Sequence, residues 1–145
     1  MIEDFEDTVN VFSLNVNGTL SGAGVNGYNG WIVNNTYLGG SETLIDCFFM
    51  LPLPYNVGDT DTQPAGVTGA PQSNYMHIVS DTALADGIGN ANFLAADGLC
   101  YTSQNNVSLM DTAINTFGYD SVEVSFYWIC GQGSAPGGIL TAFGE

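Results

Sequence analysis

Lysine and arginine are absent from all 145 residues, against 15 acidic side chains and one histidine, for a formal net charge of −15. The absence excludes every mechanism that needs a protein cation. A phosphate clamp, an arginine finger, a Schiff-base lysine and a basic nucleic-acid groove each require a guanidinium or ammonium group, so nucleic acid is not an expected partner. A lysine-to-asparagine isopeptide staple is excluded for the same reason, and the natural counter-ions of the chain are metal cations. Cysteine is scarce. Cys47, Cys100 and Cys130 have no CxxC or Cys/His spacing, which gives no support to a zinc knuckle or a redox motif. Three thiols allow at most one intrachain disulfide, with the pairing open and one sulfur left that could join protomers. Long hydrophobic runs are missing too, so membrane insertion is not expected. Met1 leads into an acidic segment rather than a basic stretch with an apolar core, and an exported protein would be met here in mature form or as a piece of a longer chain.

What is present argues for a folded domain. Hydrophobic residues make up 45% of the chain and aromatics 12%, which an acidic disordered tail would lack. A 15.3 kDa chain fits one domain, 1–145. Fifteen charges over roughly 7,000 Å² of expected surface stand about 20 Å apart, beyond a Debye length of about 8 Å, so average self-repulsion is weak. Only the cluster Glu3, Asp4, Glu6 and Asp7 needs a local remedy. Charged residues are 10% of the total, too few for a halophile signature.

Nineteen glycines and many Asn, Asp and Pro clusters separate short β-branched or aromatic runs, the spacing of an all-β sandwich. Strands are expected at Thr8 to Leu14, Gly30 to Asn34, Thr43 to Met50, Tyr75 to Ser80, Asn92 to Ala95, Leu99 to Thr102, Val107 to Leu109 and Ser121 to Cys130. The last has the clearest period of two, with Val122, Val124, Phe126, Trp128 and Cys130 on one face. Residues 51–73, holding four of the five prolines, read as one long exposed loop. Leu109 to Phe117 could form a short helix at most. The expected fold is two packed antiparallel sheets.

Several segments, in order, resemble a known family. Glu3-Asp4-Phe5-Glu6, Gly30-Trp31-Ile32-Val33-Asn34, Asn74-Tyr75-Met76-His77-Ile78, Ala91-Asn92-Phe93-Leu94 and Val122 to Trp128 are similar to the jelly-roll modules of secreted Bacteroidota proteins. These are the choice-of-anchor and cleaved-adhesin modules, related to MAM and galactose-binding-like domains. The resemblance implies a jelly-roll β-sandwich at the cell surface. In that family a further strand and hairpin follow the Phe-Tyr-Trp strand. Here the chain reaches Glu145 without them, which implies either a fragment of a longer protein or edge strands supplied by a neighbour. The family's secreted proteins are also O-glycosylated on Asp, then Ser or Thr, then a small or aliphatic residue. Four places match, implying sugar on Thr8, Thr82, Thr112 or Ser121, while ordinary turn and cap chemistry explains such pairs equally well.

The acidic N-terminal cluster is the candidate metal site. If residues 3–7 are extended and Phe5 is buried, Asp4 and Glu6 share the opposite side and can converge on one ion. Calcium suits hard oxygen ligands in a chain poor in imidazole and thiol. In the resembling jelly rolls the glutamate after the first-strand phenylalanine helps hold a structural calcium, which implies that role for Glu6, with Asp120 the candidate to complete the shell. A solvated acidic terminus is the plain alternative.

His77 shares a strand face with Tyr75 and Val79 and reads as a packed or hydrogen-bonded side chain. No nucleophile-elbow motif accompanies it, so no catalytic residue is assigned. Trp31, Tyr28, Tyr37, Tyr55 and Tyr101 lie in or beside loops where sugars could stack, with Trp31, Tyr28 and Tyr55 the leading candidates. The expectation is a non-catalytic extracellular module for adhesion or assembly, stabilised by calcium and glycosylated, with glycans or other surface proteins as partners. A self-assembling filament protomer and a carbohydrate-binding module are the alternatives.

Overall fold

The computed structural model describes residues 3–7, 10–21, 27–45, 49–63, 71–92 and 103–126, with backbone alone for 17–21 and 103–104. These residues are all-β with one short helix. The elements are β1 (Phe12–Ser21), β2 (Asn29–Asn34), β3 (Gly40–Ile45), β4 (Pro52–Val57), β5 (Tyr75–Ser80), α1 (Asp81–Ala85) and β6 (Ser103–Met110). They pair as three antiparallel two-stranded sheets, β1 with β6, β2 with β5 and β3 with β4. The expected strands Asn92 to Ala95 and Leu99 to Thr102 fall almost wholly outside the described residues, as do the cysteines, Thr8 and Trp128.

The β2–β5 pair follows directly from composition. Trp31, Ile32 and Val33 sit opposite Ile78, His77 and Met76 in an unbroken register, branched and aromatic side chains that suit a pleated, half-buried surface. Beyond Ser80 the ladder runs into α1, and the amide of Asp81 still donates to the Tyr28 carbonyl at 2.8 Å. Ser80 caps the helix, and Gly87, at φ 87°, turns the chain so that the Ile88 amide donates to the Ala83 carbonyl at 2.8 Å.

β1 joins this unit through one side chain. Asn15 has φ 59°, a conformation asparagine tolerates, and the β1–β6 register breaks between Ser13 and Asn17. The bulge turns the Asn15 amide onto β2, where it donates to the Trp31 carbonyl at 2.8 Å and accepts from the Trp31 amide at 2.7 Å. A side-chain amide thus stands in for a peptide unit at the β2 edge. Asn15→Gly keeps the backbone conformation and removes both bonds, so it is expected to cost about 1–2 kcal/mol in urea denaturation. An unchanged urea midpoint would show that this bridge carries no stability.

The run 51–73 is not one loop, because it contains β4. Its prolines fit a strand that, among the described residues, has no neighbour on one side: Pro52 faces Ile45 and Pro54 faces Thr43. The Thr43 amide turns away from β4 and donates to Glu42 Oε1 at 2.7 Å, which marks Thr43 and Pro54 as a pair without ladder bonds. The missing proline donors therefore point outward, where no ladder needs them. The β3–β4 sheet packs its inner face on α1: Val57, Ala83 and Ile88 form a buried cluster with Leu44 and Tyr55 against it.

The largest departure lies at 121–126. The residues expected to begin the clearest strand have no strand partner among the described residues, and every residue from 111 to 126 is exposed. Val122, Val124 and Phe126 are 57%, 77% and 72% exposed, so the apolar face they share is not packed against a second sheet. Period-two patterning reports a strand-competent segment, whereas a strand also needs an opposing edge. The helix conceivable over Leu109 to Phe117 does not form, since Leu109 and Met110 belong to β6.

Candidate functional site

At the N-terminus the acids bind the chain itself. Glu3 accepts from the amides of Phe5 and Val11, both at 2.7 Å, and Asp4 accepts from the Glu6 amide at 3.1 Å. Phe5 has φ 61° and its ring stacks on Phe12 at 6.1 Å. Residues 3–7 are therefore folded back rather than extended, and the alternation that would aim Asp4 and Glu6 at one ion is lost. Glu6 instead reaches the start of β5, accepting from the backbone amide of Asn74 at 2.8 Å and from its Nδ2 at 3.3 Å. Asp120 lies in the exposed 111–126 segment. Among the described residues no three His, Cys, Asp or Glu side chains group so as to hold a metal ion. Asp4, Glu6 and Asp120 accordingly do not come together as one such group. Glu6→Gln is expected to lower the melting midpoint by a few degrees, equally with calcium or with chelator, because the bonds lost go to Asn74. A wild-type midpoint that moves on chelation would return a metal to this segment.

The glycosylation candidates separate by environment. The Thr82 hydroxyl donates to Asp81 at 3.4 Å, and a Cβ on Gly27, at φ 83°, would collide with both Asp81 and Thr82. The Thr82 hydroxyl thus sits close against Gly27 and Asp81. Thr112 and Ser121 are exposed, outside any strand or helix. Asp111, beside Thr112, accepts from the Ser13 hydroxyl, a long-range tie to β1.

The sugar-stacking candidates do not meet on one face. Trp31 is half-buried and its indole donates to the Asn106 carbonyl at 3.1 Å, Tyr55 packs against the buried cluster, and Tyr28 alone is exposed. Exposed aromatics occur instead at Phe117, 92% exposed, and Tyr119, 74% exposed. Tyr119 lines an open groove of about 230 Å³ with Ile114, Asn115, Thr116, Ser121 and Val122. Sequence reasoning passed over Ile114, Phe117 and Tyr119 because aromatic spacing without period gives no face.

His77 is buried as expected, 5% exposed, and stacks on Tyr75 with ring centres 4.3 Å apart. Tyr75 in turn lies 4.9 Å from Tyr37. A polar frame surrounds these rings. Tyr37 donates to the Ser73 carbonyl at 2.7 Å, Gln63 donates to the Tyr37 hydroxyl at 3.0 Å, and Tyr75 donates to the Thr36 carbonyl at 2.7 Å. Asn90, fully buried, donates to the Gly58 carbonyl at 2.8 Å and to the Thr60 hydroxyl at 3.1 Å. Burial pushes the Tyr75 hydroxyl above its ordinary pKa, against hydrogen bonds to Thr60 and Ala91 that lower it. The ring nitrogens of His77 face Asn34 Oδ1 and the Ile78 carbonyl, so neither addresses a nucleophile or a carboxylate. This frame holds four chain segments together, while large apolar side chains are exposed in the ribbon 114–126 and, separately, at Phe49, Met50, Leu51 and Leu53.

No protein-family model, curated protein or solved structure matches the chain. Among the described residues no helix is long and apolar enough to cross a membrane.

Proposed function

We propose that the chain is a non-catalytic surface module of the secreted jelly-roll type, acting in adhesion or assembly through the ribbon 114–126. One observation carries the reading: Ile114, Phe117, Tyr119, Val122, Val124 and Phe126 are all at least half exposed within 13 residues. An apolar surface of that kind on a soluble chain marks a contact with another molecule. The alternation of Val122, Val124 and Phe126 with Ser121, Glu123 and Ser125 is that of a strand ready to add to a sheet edge on a neighbouring chain. The absence of lysine and arginine argues against partners recognised by pairing an anion with a fixed side-chain cation.

Sedimentation and negative-stain microscopy of the purified protein test this. Assembly is expected for the wild type and loss of assembly for Val122→Asp with Val124→Asp, two exposed positions whose replacement leaves the buried cluster untouched. A monodisperse wild type retained on a glycan array would favour the second reading, a carbohydrate-binding module using Tyr119 and its groove. A monodisperse protein that binds no glycan would sink both. Sugar on Thr112 or Ser121 belongs to the same extracellular proposal, and an intact mass of native protein decides it.

A further inference from the structure

His77 is the chain's one histidine, and its proton can be placed from its neighbours. The Asn34 amide is oriented by two bonds: Nδ2 donates to the Gly89 carbonyl at 2.8 Å, and Oδ1 accepts from the Thr36 amide at 3.1 Å. Asn34 Oδ1 is thus an acceptor, and His77 Nε2, 2.8 Å away, must carry hydrogen. In the neutral ring Nδ1 is then bare, 3.4 Å from the Ile78 carbonyl oxygen. A second proton would convert that contact into a hydrogen bond. It would also place a full positive charge in a site 5% exposed.

Among the described residues, the groups seen against the ring offer that charge no counter-ion. They are the Tyr75 ring, with Tyr37 behind it, the Asn34 amide, the Ile78 carbonyl, and Ile32 opposite on β2. Among the described residues no carboxylate is hydrogen-bonded to His77 and, with no lysine or arginine in the chain, no other side-chain cation can reach it. The same small cluster fastens two connecting segments. Residues 34–36 are tied by Asn34 to His77 and by the Thr36 carbonyl to Tyr75. Residues 89–92 are tied by Gly89 to Asn34, by the Ala91 amide to the Tyr75 hydroxyl at 3.3 Å, and by the Asn92 amide to the Ile78 carbonyl at 3.1 Å.

We propose that His77 is an acid-sensitive latch, which in its neutral form holds segments 34–36 and 89–92 on the β2–β5 sheet and releases them on taking up one proton. Burial lowers the His77 pKa below its ordinary 6.5, with the Ile78 carbonyl opposing the shift. The opened segment binds the proton at the ordinary value and the closed one only at lower pH. The stability of the closed form is therefore complete above about pH 6.5 and falls as pH drops through the closed-state value. Global repulsion runs the other way, because acidification neutralises carboxylates on a chain of formal charge −15. A loss of order confined to these segments thus separates the latch from a whole-molecule charge effect.

The test is amide hydrogen exchange at about pH 7.5 and about pH 5, corrected for the intrinsic pH dependence of exchange, on the wild type and on His77→Gln. In the wild type, corrected exchange at Thr36 and at 89–92 is expected to rise about five- to tenfold at the lower pH, while β1 and β6 stay unchanged. In His77→Gln, which keeps a donor near Asn34 and cannot charge, the rise is expected to vanish. Should that variant fail to fold, an NMR titration of the wild-type imidazole gives the answer: titration below 6.5 accompanied by the exchange step supports the latch. An ordinary titration with constant protection at 89–92, or a uniform change across all strands, overturns it.

Discussion

Asn90→Asp is expected to cost the fold about 3 kcal/mol or more at neutral pH, read as a fall in the urea midpoint. Asn90 is fully buried and acts as a donor: its Nδ2 serves the Gly58 carbonyl at 2.8 Å and the Thr60 hydroxyl at 3.1 Å. Its own carbonyl accepts from Asn92 at 2.9 Å, so one residue fastens the 58–60 segment to the chain leading away from α1. The substitution is isosteric and exchanges that donor for an oxygen facing the Gly58 carbonyl. In most proteins a nearby lysine or arginine could compensate, but this chain has neither. The new carboxyl can recover its bond to Gly58 only by holding a proton, so the deficit should shrink on acidification towards about pH 4. Asn90→Ala, which removes the donor without adding charge, should cost less, about 1–3 kcal/mol. Equal stability of Asn90→Asp and wild type at neutral pH would mean that the buried frame around Tyr37 and Tyr75 does not hold the fold.

The second large effect has the opposite sign. Glu42→Gln is expected to stabilise the protein by about 1–2 kcal/mol, raising the melting midpoint by roughly 2–8 °C. Glu42 is 5% exposed, on β3 opposite Tyr55. Its Oε1 accepts from the Thr43 amide at 2.7 Å, while Oε2 is buried with no partner. A carboxylate held like this normally answers to a cation, and none is available within the sequence. Glutamine keeps an oxygen for Thr43 and replaces the unpaired charge with a neutral amide, whose desolvation is less costly. A lowered midpoint for Glu42→Gln would show that the carboxylate has a positive partner, and repeating the melt with added divalent cation would then identify its chemistry.

Legibility in the sequence varied by element for physical reasons. Gly30 to Asn34 and Tyr75 to Ser80 were readable almost to the residue, because dense β-branched and aromatic runs carry their own pairing preference. The association of His77 with Tyr75 and Val79 followed from alternation alone, and the structure stacks His77 on Tyr75. β4 was hidden by Pro52 and Pro54, residues that normally argue against a strand and are tolerated only where the ladder lies on one side. The turn at residues 3–7 was not legible, because it depends on Glu3 reaching Val11, a contact eight positions away. Trp31 and Tyr55 were candidates for stacking sugars, and packing shows that the Asn106 carbonyl takes the indole donor and the buried cluster takes the Tyr55 ring.

By itself the sequence determined the charge chemistry and the all-β class: a chain lacking lysine and arginine has no permanently charged side-chain cation to place in any fold, and short branched runs punctuated by glycine and asparagine do not sustain helices. Which polar groups are buried was decided by tertiary structure alone. Asn15, Asn34, Asn90 and Glu6 look interchangeable with the chain's other amides and acids until long-range packing removes water from around them or sets a backbone donor or acceptor within reach. A hydrogen bond between residues dozens of positions apart leaves no local pattern, because its strength depends on where the chain returns in space rather than on the residues beside it.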